Sequence, residues 1–111
     1  MSLDVSLRVT AGTVKEIECY RANITHNLGK MAQACDLYLA MWRPEEIGCV
    51  FARDIIDLLR QGIEKLISDP DEYKKLNPKN GWGDYEGLLK FAREYLQACR
   101  DYPEAKIYID R

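Results

Sequence analysis

Apolar and polar residues alternate without error over residues 3–9, "LDVSLRV", with Leu3, Val5, Leu7 and Val9 on one side and Asp4, Ser6 and Arg8 on the other. A period of two predicts a half-buried strand of the kind antiparallel sheets use. "TAGTVKE" comes next, with Gly12 available for a positive φ, and "IECYRANI" is strand-like again, so the two segments read as a hairpin. At Thr25 the period changes. Leu28, Met31, Ala32 and Cys35 recur at helical spacing, and Tyr38 or Leu39 extends the stripe. Thr25 is the expected N-cap, Ile24 the staple before it, and Pro44 ends the helix before "MWRPEE".

Phe51, Ile55, Leu59, Ile63 and Leu66 predict a longer helix from about Val50 to Ile67, and Gly62 inside that pattern implies close packing. "SDPDEYKKL" restarts a short helix, with a cap at Ser68 or Asp69 and Pro70 in first position. "NPKNGWGD" is the clearest loop. Asp84 then caps a last helix carrying Leu88, Phe91 or Ala92, Tyr95 and Cys99, and "AKIYI" closes the chain as a strand with Ala105, Ile107 and Ile109 on one face. The expectation is one domain over residues 1–111, of the α+β class. A small, mostly antiparallel three-stranded sheet, built from the N-terminal hairpin and the C-terminal strand, should carry three to four helices on one face. Asp4, Ser6, Arg8, Glu18 and Lys106 make the opposite face wet; Tyr20 and Tyr108 fall on it as exceptions, either paired across strands or marking a partner surface.

Charge narrows the partners. With 16 basic and 18 acidic residues interspersed and a net charge of −2, the chain has no field to gather nucleic acid or an anionic membrane, so a nucleic-acid partner is disfavoured. No apolar run approaches the ~20 residues of a membrane span, and an alternating N-terminus carrying Asp4 is not a signal peptide's apolar core. A cytoplasmic location is the resulting expectation. Cys19, Cys35, Cys49 and Cys99 form no C-x-x-C, and a single histidine leaves little to complete a zinc site, so they read as small buried thiols. Neither a phosphate loop nor a dinucleotide fingerprint is present, and no cofactor or metal is implied.

Three loops carry candidate chemistry. In "NITHN", a cap at Thr25 would leave the amides of His26, Asn27 and Leu28 pointing outward, where an anion or polar oxygen is favoured; alternatively His26 is a first-turn polar residue bonded to a neighbouring loop. In "WRPEE", Trp42 offers a flat face, more often buried than presented, and Arg43 a fork suited to carboxylate or phosphate, unless Glu45 or Glu46 occupies it. In "NGWGDY", Asn80 and two glycines surround Trp82, which either plugs the loop onto the core, the commoner role, or contacts a ligand. No enzyme template is met: the one imidazole has no identified nucleophile or orienting acid, and the paired carboxylates sit at helix starts. The leading expectation is a non-enzymatic binding domain. Thr25, His26, Asn27, Trp42, Arg43, Asn80 and Trp82 would meet a polar or anionic, nucleotide-like small molecule. The competing expectation is a protein–protein module or homodimer, using the tyrosines or an open sheet edge.

"ANITHNLGKMA", "MWRPEEIG", "NPKNGWGDYEGL" and "YLQAC", in this order, resemble a family of small proteins of bacterial and phage genomes over roughly residues 20–111. No established activity comes with that resemblance, so it transfers no catalytic residue. It implies a place inside the cell and, for phage members, admits a host-interaction or defence-related role.

Overall fold

The first strand takes the central place in the sheet. In the computed structural model, which describes every residue except Thr13 and Val14, β1 (Ser2–Ala11) lies between β2 (Lys15–Thr25) and β3 (Lys106–Asp110), antiparallel to both. The side chain of Ala11 also lies outside the described residues, as does the middle of the "TAGTVKE" loop; Gly12 has the expected positive φ of 65°. Leu3, Val5 and Leu7 are fully buried under the helices, and Ile107 and Ile109 of β3 lie opposite Leu7 and Val5 on the same face. The helices are α1 (Gly29–Ala34), α2 (Tyr38–Trp42), α3 (Ala52–Ser68), α4 (Pro70–Lys74) and α5 (Tyr85–Asp101). Single 3-10 turns occupy His26–Leu28 and Pro44–Ile47. This is the α+β architecture the patterning predicts, with five helices instead of three or four. Among the described residues no helix is long and apolar enough to cross a membrane.

The strand pattern needs one correction. β2 pairs with β1 in one register up to Leu7↔Tyr20 and in another from Arg8↔Glu18, so Cys19 is an extra residue without a partner. Such a bulge shifts the alternation by one. Glu18 therefore faces solvent opposite Arg8, whereas Tyr20 turns toward the helices opposite Leu7 and stacks on Tyr95, with ring centroids 6.0 Å apart. Tyr20 and Tyr108 cannot pair, because they lie on opposite faces. Tyr108 keeps the solvent face, under the Arg8 guanidinium at 4.2 Å and bonded to Glu16. Ser6, expected wet, is only 5% exposed, because it sits in the central strand opposite both Arg21 and Tyr108.

The first predicted helix is two helices. Asp36, in the left-handed region at φ 63°, comes just after α1, and its amide donates to Gln33 O at 3.2 Å while Leu37 N donates to Ala32 O at 2.8 Å. That pair of bonds is a Schellman stop, which usually carries glycine where Asp36 stands; Lys65 of α3 holds the Asp36 carboxylate. α3 starts two residues later than the apolar stripe predicts. Val50 and Phe51 are held extended, with Phe51 bridging Lys106, Ile107 N donating to Val50 O at 2.9 Å and Ala52 N donating to Ala105 O at 2.8 Å. Asp54 fixes this segment by accepting from Val50 N at 3.0 Å and Phe51 N at 2.9 Å. Asp69 and Asp84 cap α4 and α5 as expected, accepting from Glu72 N at 3.4 Å and Gly87 N at 2.7 Å. Cys35 and Cys99 are buried thiols, whereas Cys19 and Cys49 are only half-buried; all four are free.

Gly62 packs as closely as the sequence implies. A Cβ there would land on the side chain of Leu37, which is fully buried, and 3.2 Å from Cys35 O. Gly62→Ala should therefore lower stability by about 1–3 kcal/mol despite its better helix propensity, read as a fall in Tm. Asp54 gives a pH test. Its two amide donors hold its carboxyl below the usual carboxylate range, so its stabilisation is present above the unfolded value near 3.8 and is lost as pH falls through the lower folded value. Asp54→Ala should cost about 1 kcal/mol in denaturant melts at neutral pH, and the gap to the parent should shrink in strong acid.

Candidate functional site

The end of β2 turns directly into the site. Thr25 is extended, at φ −66° and ψ 140°, and its Oγ1 accepts from Asn27 N at 3.2 Å, while His26 N donates to Met1 O at 3.4 Å. Two of the three amides expected to point outward are therefore already bonded. The single 3-10 turn at His26–Leu28 leads into a helix of only six residues, so no long dipole gathers an anion here. The turn therefore offers an anion less than a free helix start would.

The "NGWG" loop closes against this turn. Asn80 Oδ1 accepts from Trp82 N at 3.0 Å, and Asn77 Oδ1 accepts from Tyr85 N at 2.8 Å. Gly83, at φ 100°, is the contact: a Cβ there would lie 2.8 Å from Thr25 Cγ2 and 2.9 Å from Leu28 Cγ. With the glycine backbone pressed on the turn, Trp82 is left 70% exposed. It is not a plug. Thr25, His26, Asn27, Asn80 and Trp82 line one open cleft of about 510 Å³ together with Met1 and Ser2.

His26 is anchored from behind. The indole Nε1–H of Trp42 donates to His26 Nδ1 at 2.9 Å, and Trp42, only 2% exposed, stacks on Tyr38 at 5.3 Å between centroids. Nδ1 is thus the acceptor, and in the neutral ring the proton sits on Nε2, which can donate to a ligand. Trp42 is a buried support and not a platform. Arg111 Nη1 donates to Trp42 O at 2.7 Å and to Glu45 at 2.9 Å, fixing the end of α2.

Arg43 is not in the cleft. Its Nε donates to Tyr38 OH at 3.3 Å and its Nη1 to Glu46 at 2.8 Å, beside a separate depression of about 410 Å³ that also touches Gln33, Asp36 and Leu39. The guanidinium expected to meet an anion is occupied by Glu46, the alternative open at the sequence level. Conversely, Ser2 lines the cleft without having been expected there. Its signal was available: in a hairpin the first residue of β1 stands opposite the last of β2, and Ser2 pairs with Thr25.

The polar side chains that line the cleft are hydrogen-bonding groups. The ring nitrogen that a carboxylate would orient in an acid–base pair is taken by an indole. Burial pushes the Cys35 thiol up to about 11 and the Cys99 thiol up to about 12, so neither is a thiolate at neutral pH. Among the described residues no group of three or more His, Cys, Asp or Glu side chains is placed to hold a metal ion. No protein-family model matches the chain, and no curated protein or solved structure matches it.

Trp42→Phe keeps an aromatic ring in place and deletes the donor. The expected outcome is a loss of about 1–2 kcal/mol. In long-range ¹H–¹⁵N spectra the His26 ring should change from one Nε2–H tautomer to a mixture. A parent protein with Nδ1–H dominant would show that the Trp42–His26 bond is not formed in solution.

Proposed function

We propose that the chain is a non-enzymatic binding module that takes a polar, planar small molecule of nucleoside-like chemistry in the cleft between residues 25–27 and 80–82. One observation supports the reading: residues far apart in sequence bring unspent hydrogen-bonding groups to one cleft. Among the described residues His26 Nε2, the side-chain amide nitrogens of Asn27 and Asn80 and the Trp82 indole N–H have no intramolecular partner. Neutral donors beside an exposed aromatic face match a base-like ring, which stacks on one side and is bonded along its edge. No lysine or arginine side chain lines the cleft, which the Met1 amino group only borders, and Arg43 lies elsewhere. The uncharged part of a nucleotide therefore fits better than its phosphate. The proposal extends to the bacterial and phage proteins that four segments of the chain resemble, because the first and third of those segments form the two walls.

Thermal-shift titration with the common nucleosides and their 5′-monophosphates tests this directly. A bound nucleoside at a hundred times its Kd should stabilise the fold by about 2.7 kcal/mol. His26→Ala and Trp82→Ala should remove the shift, Arg43→Ala should leave it intact, and the monophosphate should gain nothing over the nucleoside. A panel without a shift sinks the ligand class; a shift that depends on Arg43 instead of Trp82 moves the site to the other depression.

A further inference from the structure

The sheet has one short, partly covered edge and one long open one. At the start of β3 the outer edge is covered, where Val50 O accepts from Ile107 N, Phe51 bridges Lys106 and Ala52 N donates to Ala105 O. Over its eleven residues β2 makes backbone hydrogen bonds only to β1 among the described residues. An open edge of that length is a template for strand addition, and its charges decide what can add. The bulge at Cys19 sorts those charges. Glu16, Glu18, Arg21 and Asn23 lie opposite Thr10, Arg8, Ser6 and Asp4 on the solvent face, while Ile17, Tyr20 and Ala22 lie opposite Val9, Leu7 and Val5 on the helix side. Ile17 is 49% exposed although it is on the apolar side.

We infer that β2 pairs antiparallel with β2 of a second copy about a two-fold axis at Tyr20, making one continuous sheet. In an antiparallel ladder such an axis passes between a residue and its own copy, so each centre can be tried in turn. With the axis at Tyr20 and Cys19 bulged out of both strands, Glu18 faces the copy's Arg21 and Arg21 faces the copy's Glu18. Glu16 then faces Asn23, and Ile17 faces Ala22, so every pair also matches in face. An axis at Glu18 or Arg21 sets that residue against its own copy. An axis at Ile17 sets Glu16 against Glu18, and one at Ala22 forms no ion pair. The Tyr20 axis alone forms ion pairs without opposing like charges, and it brings the two half-buried Tyr20 rings side by side over an edge that is otherwise wet. Within one chain Arg21 and Glu18 are only loosely joined, at 3.7 Å with both side chains well exposed, so both are available to a partner.

Sedimentation over a concentration series tests the interface, with circular dichroism to check folding. The 12.8 kDa chain should run at twice its mass. E18R and R21E, each of which opposes like charges across the axis, should weaken self-association about tenfold or more. The double variant E18R/R21E should dimerise again. A mixture of the two single variants should form heterodimers, because the two basic residues of one chain then face the two acidic residues of the other, one pair in each half. A parent chain that stays monomeric throughout, a dimer indifferent to both single substitutions, or folded variants that do not associate on mixing would each overturn the inference.

Discussion

Burying Leu3, Val5 and Leu7 completely is possible only if the backbone of β1 finds partners on both edges, because unpaired amides and carbonyls cannot accompany apolar side chains out of water. One edge is satisfied locally by the hairpin. The other waits for β3, at the far end of the sequence. Everything from His26 to Ala105 is therefore an excursion that leaves one side of β1 and must return to the other. α3 and α5, the two seventeen-residue helices, occupy it and are tied together where the Tyr85 hydroxyl donates to Leu66 O at 2.6 Å. The loop that leads into α5 comes back to where β2 stops, since Gly83 touches Thr25 there. The cleft is a consequence of that closure.

The parts of this arrangement that obey one period over their whole length were legible in the sequence. β1 and β3 alternate cleanly, and the stripes of α3 and α5 hold for four turns. What escaped were interruptions of a single residue. Cys19 shifts β2 by one position, and counting from either end gives a consistent strand with half of its faces wrong. The stop after α1 uses Asp36 in a left-handed conformation, where glycine would have announced it. The start of α3 is set by a bridge to Lys106, fifty-five residues away, which no local pattern contains.

The candidate site was legible as a set of loops but not as directions. Trp42 is the last residue of α2, and Arg43 leaves the helix at φ −140° and ψ 51°, so adjacent side chains need not share a direction. Once the Trp42 indole reaches back to His26, Arg43 faces elsewhere and finds Glu46. Whether Trp82 would plug the loop depended on which residue of "NGWG" could approach the turn. Only a residue without a Cβ fits against Thr25 and Leu28, so Gly83 makes the contact and the indole is left outside.

β2 serves the proposed ligand cleft and the proposed dimer with different parts of its length. The axis lies at Tyr20 and the cleft begins at Thr25, five residues on, which at about 3.3 Å per residue is ~17 Å along the strand. In a two-fold assembly the two clefts would then sit ~33 Å apart at opposite ends of the shared strands, beyond the reach of any one small molecule. Glu18 and Arg21 do not line the cleft, and His26, Asn80 and Trp82 lie outside the strand that forms the edge. Loss of pairing and loss of ligand are therefore separable by substitution, even though a single strand carries both surfaces. That separation rests on the bulge, which aims the charges of one half of β2 at solvent while the other half continues, in phase with β1, to the turn that holds His26.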